Sequence, residues 1–293
     1  MPERFKHFSD WDHYLSMAQK NIDSNLINEL WQKVYARHVV FTEIELKNLG
    51  VSYNSPLSDI PEINKVQNVK QIDPKRELVL IEIIGMPAAG KDTMILDVEK
   101  QKIPNVVCTP QEGYYSSQKE FPFPDLRTRH FQVYGGTDME ADDIIDSLTF
   151  YNQKPTGAVL LNRTIPDNFL AFGYTLFLGG YIGVNDLVQS QRMFHFFQYS
   201  PTRKVGNKYE CLDNLTAATM IFMVRPEVSL ERRSKRGRIL NTDFLNLLYS
   251  QYLRMTSRLK TMNQRNLVVL DMSGTINENR ELFQKTLETI VKI

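Results

Sequence analysis

The sequence predicts an α/β fold: a parallel sheet between two layers of helices, preceded by a small helical extension. Three observations carry that prediction. Five short runs, LVLIEII (78–84), NVVCT (105–109), AVLLN (158–162), TMIFMV (219–224) and NLVVLD (266–271), are almost continuously apolar, as strands covered on both faces are. Stretches of helical periodicity lie between and after them, including DDIIDSLTFY (142–151), TDFLNLLYSQYLRMTSRL (242–259) and NENRELFQKTLETIVKI (277–293). Alternation of this kind implies right-handed crossovers and a parallel sheet. The first run also ends in a Gly-x4-Gly-Lys turn, Gly85 to Lys91, which belongs at the carboxyl end of a parallel strand.

The totals set broad limits. A chain of 293 residues with 42% hydrophobic and 24% charged residues is long enough for a large core, domains commonly running to ~100–200 residues. A net charge of +1 gives no global attraction to long nucleic acid or to acidic membranes, so any anion site is local. Cys108 and Cys211, the two cysteines, form no disulfide framework and no zinc-ligand spacing, and they fit a reducing, cytoplasmic setting. The uncharged run 168–185 is broken by Gly173, Gly179, Gly180 and Gly183. That is too short and too interrupted for a membrane span, which takes ~20 apolar residues, and it reads as a buried helix and turn.

In chain order, residues 1–50 read as helices. Ser9 or Asp10 supplies an N-cap, and Leu26, Ile27, Leu30, Trp31, Val34 and Tyr35 form an apolar stripe that suits a homodimer contact or a protein partner. Residues 51–77 mix Pro, Asn, Ser and charge without periodicity, as a linker or draped segment does. A boundary near residue 75 divides an extension, 1–75, from an α/β domain, 76–293.

The turn after the first strand has the context a phosphate-binding loop requires. Gly85 and Gly90 let the backbone curl through Ala88 and Ala89 so that successive N–H groups face an anion, and Lys91 reaches the β- and γ-phosphates. The position after the lysine, where a hydroxyl usually ligates magnesium, holds Asp92, and the hydroxyl comes next at Thr93. Asp92 favours the helix dipole; it is either a magnesium ligand through water or a helix-end aspartate without a metal role. A second basic element is RPEVSLERRSKRGR (225–238), where Pro226 starts a helix that places Arg232 and Arg236 on one face and Gly237 precedes Arg238. Arginines closing over a γ-phosphate suit phosphoryl transfer, which depends on positioning and charge neutralisation.

With these pieces in order, residues 77–293 resemble the thymidylate kinase and deoxynucleoside kinase branch of the P-loop kinases. The resemblance rests on GMPAAGKDT, LLNRTIPDNFLAF, RPEVSLERRSKRGR and VVLDMSGTINE. It implies a five-stranded sheet of order 2-3-1-4-5, Mg-ATP as cofactor, and transfer of the γ-phosphate to a nucleoside or nucleotide. It also implies roles. Arg163 bridges the donor and acceptor phosphates, and its usual acidic neighbour is here Asn162. Arg232 and Arg236 neutralise the transferring group, Arg238 binds ATP, and the 271–278 turn lies on the adenine side. Glu112 falls in the region of the family's base, Arg127 and Arg129 are candidates for an acceptor phosphate, and Tyr114, Tyr115 and Phe131 for holding a base. Asp167 either orients Arg163 or caps the next helix. Two other readings stand beside the kinase. One is a nucleotide-binding protein without catalysis, to which Asn162 and the extension point; the other is a kinase of a nucleic-acid end or another metabolite. An Asn-Lys-x-Asp guanine motif and the protein-kinase signatures are absent.

Overall fold

In the computed structural model the described residues are 57, 63–65, 70–108, 156–162, 167–173, 175, 203–205, 208–210, 212–236, 242–262 and 266–293. Their elements are β1 (Leu78–Gly85), α1 (Lys91–Gln101), β2 (Val106–Cys108), β3 (Gly157–Asn162), a π-helical segment (Asp167–Gly173), β4 (Arg203–Val205), β5 (Lys208–Glu210), α2 (Leu212–Leu215), β6 (Thr216–Met223), α3 (Pro226–Ser234), α4 (Thr242–Met262), β7 (Asn266–Asp271) and α5 (Ile276–Ile290). The helices expected within 1–50 and at 142–151, and the apolar run beyond residue 175, lie outside the described residues.

Every residue of β1 is buried, as a β-branched and aliphatic strand between two parallel neighbours must be. The sheet runs β2-β3-β1-β6-β7 with every pairing parallel. Counted over these five strands, that is the order 2-3-1-4-5. The small antiparallel pair β4–β5 is an addition the sequence reading did not foresee. β6 starts at Thr216, ahead of the expected TMIFMV run, and α4 continues to Met262.

The core is aliphatic with a few aromatic anchors. Tyr252 and Phe222 are fully buried, and Phe222 meets Phe283 of α5 edge-on with ring centroids 5.5 Å apart, a geometry worth about 1 kcal/mol beyond area burial. One carboxylate lies inside the central strand: Glu82 is fully buried and accepts a 2.7 Å hydrogen bond from the Thr219 hydroxyl of β6.

Where it is described, the segment read as linker or drape is a strap along the open edge of the sheet. Ile63 bridges to Val269 in β7, and Ile72 bridges to Val291 beyond α5. Leu57, Ile63 and Ile72 join the same hydrophobic core as the sheet. Covering an edge strand in this way removes a template for pairing between chains.

Candidate phosphate-binding site

The loop between β1 and α1 is shaped by two glycines that have different duties. Gly85 has φ +134°, and a Cβ there would lie 2.1 Å from the Phe222 carbonyl oxygen, so β6 passes too close for any side chain. Gly90 has φ +95° in open space and turns the chain into α1. Between them Ala88 is also left-handed, with φ 58°.

Four consecutive carbonyls of the loop are tied off. The Lys91 ammonium donates to Gly85 O at 2.7 Å and to Met86 O at 2.9 Å. Ser229 Oγ donates to Pro87 O at 2.7 Å, and Arg232 Nη1 to Ala88 O at 3.3 Å. Met86 N–H is held by Phe222 O at 2.9 Å and Ala89 N–H by Met86 O at 3.2 Å, and Pro87 has no N–H, so the candidate donors to an anion are the amides of Ala88, Gly90 and the start of α1. No side chain caps the start of α1, so its first N–H groups and its dipole favour an anion there. Lys91 itself is nearly buried, at 6% exposure, and brings the positive charge into the cradle.

Tyr252 of α4 reaches the same corner. Its hydroxyl lies 2.8 Å from Gly85 O and 2.5 Å from Asp167 Oδ1. Asp167 is fully buried at the start of the π-helical segment. One phenol thus joins the loop, the long helix α4 beyond the basic segment, and the segment after β3.

α3 braces the loop from the other side. Ser229 and Arg232 are three residues apart, hence on one helix face, and both reach the loop. Arg232 also donates from Nη1 to Met272 O at 2.9 Å and from Nη2 to Ser273 O at 3.2 Å and Gly274 O at 2.9 Å. Its terminal N–H groups are therefore engaged by the loop and by the turn after β7. The edge of the guanidinium that would grip a phosphoryl oxygen is occupied in this arrangement. Partial burial lowers its pKa, opposed by the charge of Glu231, and the residue stays a cation at any ordinary pH. Arg236 stands exposed just beyond α3.

Asp92 and Asn162 belong together. Asn162 Nδ2 donates to Asp92 Oδ1 at 2.8 Å, linking the end of β3 to the first turn of α1. Asn162 is buried and Asp92 exposed, so the carboxylate stands at the mouth of the cradle with the Thr93 hydroxyl one residue further on.

No protein-family model matches the chain, and no curated protein sequence matches it. Among solved structures it is similar to a deoxyadenosine kinase. The form from M. mycoides with bound dATP aligns with a TM-score of 0.48 at 14% identity, covering 72% of this chain and 99% of that one. The same enzyme with bound dCTP gives 0.47 at 15% identity, covering 72% and 100%. The form with products dCMP and dCDP gives 0.47 at 14% identity, covering 72% and 99%.

The structure thus gathers Gly85, Ala88, Ala89, Gly90, Lys91, Asp92, Thr93, Asn162, Asp167 and Arg232 at the carboxyl ends of β1, β3 and β7, where open parallel sheets bind ligands. Glu112, Tyr114, Tyr115, Arg127, Arg129, Phe131, Arg163 and Arg238 lie outside the described residues. Ser229 and Tyr252 were not found from sequence. Spacing from Arg232 was a usable signal for Ser229, whereas Tyr252 reads as one more apolar-stripe residue of an amphipathic helix. Among the described residues no helix is long and apolar enough to cross a membrane.

Proposed function

We propose that this chain is an ATP-dependent phosphotransferase whose acceptor is a nucleoside or nucleoside monophosphate. The observation that carries the reading is the loop: its carbonyls from Gly85 to Ala88 are each engaged by a side-chain donor, Lys91 among them, and the uncapped start of α1 offers N–H groups to an anion. This arrangement fits a triphosphate better than a neutral ligand.

The residues present also fit magnesium. Asp92 and Thr93 offer a carboxylate and a hydroxyl, hard oxygen donors of the kind magnesium takes while keeping most of its waters. When bound, the ion would offset charge on the phosphates. Lys91, on leaving Gly85 O and Met86 O, and the loop amides would hold the β- and γ-phosphates, and the planar guanidinium of Arg232 suits stacking on a flat base. Arg163, Arg236 and Arg238 are the proposed phosphoryl contacts. Glu112 remains the proposed base, with Tyr114, Arg127 and Arg129 around the acceptor.

A silent nucleotide-binding protein was suggested by the missing acid at position 162. The hydrogen bond from Asn162 to Asp92 weakens that reading, because a carboxylate is still present one hydrogen bond away. The test is transfer from γ-labelled ATP to a panel of nucleosides, nucleoside monophosphates and a DNA 5′ end, with Lys91→Ala as control. Label on one nucleoside-type acceptor, lost in the control, supports the proposal. ATP binding without transfer to any acceptor favours the silent protein, and label on the DNA end favours the third reading.

A further inference from the structure

The strap along β7 does more than cover an edge. It holds both ends of that strand. At the start, Lys70 and Asn266 exchange two hydrogen bonds, Lys70 N–H to Asn266 Oδ1 and Asn266 Nδ2 to Lys70 O, each 3.0 Å. At the far end, Asn64 N–H donates to Val269 O at 2.7 Å, and Asn64 Oδ1 accepts from Asp271 N–H at 2.9 Å. Asn64 is left-handed, with φ 53°, a conformation asparagine tolerates better than most residues.

Asp271 is the last residue of β7, and residues 272–274 directly after it form the turn that receives Arg232. Asp271 Oδ1 accepts from Ser273 N–H at 2.9 Å. Met272 N–H is fixed to Met223 O of β6 at 2.8 Å, and Asn279 Nδ2 holds Met272 O at 3.0 Å and Gly274 O at 3.2 Å. A Cβ at Gly274 would lie 3.0 Å from Glu278 Oε2 and 3.2 Å from Asn279 Oδ1, a tight fit that these side chains would have to ease. The carbonyls of Met272, Ser273 and Gly274 therefore have fixed directions, and those directions set the plane of the Arg232 guanidinium. The entry of this turn is held from the strap, through Asn64.

We propose that Asn64 is a positioning residue of the nucleotide site: by anchoring Asp271 it orients the 272–274 turn and so the face of Arg232 that meets the base. This rests on the nucleotide reading above. It gives the N-terminal extension a part in ligand selection, through the base side of the site more than the phosphate side. Phosphates meet the loop, which is braced chiefly by the shorter contacts of Lys91, Ser229 and Tyr252, with Arg232 reaching it only at Ala88 O across 3.3 Å. A ligand without a base therefore depends on Asn64 much less than one with a base does.

The experiment compares ATP and inorganic tripolyphosphate, each titrated calorimetrically into the full chain. The variants are Asn64→Gly, which keeps the left-handed backbone and removes the side-chain acceptor, and Asn266→Ala, which loosens the strap at the other end of β7. Asn64→Gly is expected to weaken ATP about three- to tenfold, the size of one lost hydrogen bond, and to leave tripolyphosphate within about twofold. Asn266→Ala is expected to lower the melting temperature while leaving both affinities within about twofold. Wild-type affinity for ATP in Asn64→Gly, or an equal loss for both ligands, overturns the proposal, as does an equal loss of ATP affinity in Asn266→Ala. A wild-type chain that binds neither ligand removes the nucleotide reading itself and this proposal with it.

Discussion

Asn162 donates its side-chain amide to the carboxylate of Asp92 across 2.8 Å, joining the end of β3 to the first turn of α1. The resemblance read from the sequence implies an acid at position 162, where Asn162 stands. Here the carboxylate stands on the other side of the hydrogen bond. If that carboxylate is the group the chemistry uses, its side of the pair should be exchangeable. Asp92→Asn is expected to lower phosphoryl transfer about 10- to 100-fold, the usual worth of a group that orients or holds a metal through its outer shell. The double variant Asp92→Asn with Asn162→Asp should recover most of that loss. Steady-state turnover at saturating ATP and magnesium measures both; a double variant as poor as the single one rejects the exchange.

Tyr252 is the buried link between the loop and Asp167. Tyr252→Phe removes the hydroxyl without opening a cavity, so its cost is that of withdrawing one donor from the buried Asp167 carboxylate, since Gly85 O keeps Lys91. About 1–3 kcal/mol of stability should be lost. Urea unfolding should show a lower midpoint with an unchanged slope. A stability equal to wild type would mean that water replaces the phenol.

Much of this was legible in the sequence, and the parts that were not share a cause. β1, β3, β6 and β7 are buried on both faces, so their apolar runs announce them. The loop announces itself because Gly85 and Gly90 occupy left-handed or crowded positions that few other residues tolerate. Tyr252, Asn64 and the turn contacts of Arg232 depend on which elements meet in space. A tyrosine in an amphipathic helix, or an asparagine in a polar stretch, carries no local mark of such a meeting. Arg232 was found for its charge, but its backbone partners at Met272, Ser273 and Gly274 lie some forty positions away, beyond the reach of spacing arguments.

The two loop glycines should respond differently to the same substitution. Gly85→Ala places a methyl group 2.1 Å from the Phe222 carbonyl oxygen, backbone of a central strand that cannot yield. A loss above about 4 kcal/mol is expected, in the range reserved for core disruption. Gly90→Ala meets nothing nearer than Met94 Cε at 4.0 Å and is strained only by its φ of +95°, a cost of about 1–3 kcal/mol. Circular dichroism should find Gly85→Ala unfolded or insoluble. Gly90→Ala should fold and bind tripolyphosphate more weakly, because the direction of the first α1 amides shifts. Two variants of equal stability would contradict the close approach of β6.

Cys108 closes β2 at the edge of the sheet, and burial, helped by the negative charge of Glu99, pushes its thiol up to about 12. A thiol raised in the folded state holds its proton more tightly than in the unfolded chain, where 9.0 is ordinary. Its contribution to stability is therefore full below about pH 9 and is lost as pH rises from there towards 12. The same shift governs reactivity, because the thiolate is the nucleophile. At pH 8 roughly one molecule in 10⁴ carries the folded thiolate, against roughly one in ten unfolded. Cys211→Ser leaves Cys108 as the single cysteine of the chain. Iodoacetamide labelling of that variant should run about 10³-fold slower in native buffer than in denaturing urea, before any shielding of the sulfur is counted. Native labelling should then accelerate about tenfold per pH unit between 8 and 10. Labelling at comparable rates in the two states would show that the sulfur is not held in the environment that raises its pKa.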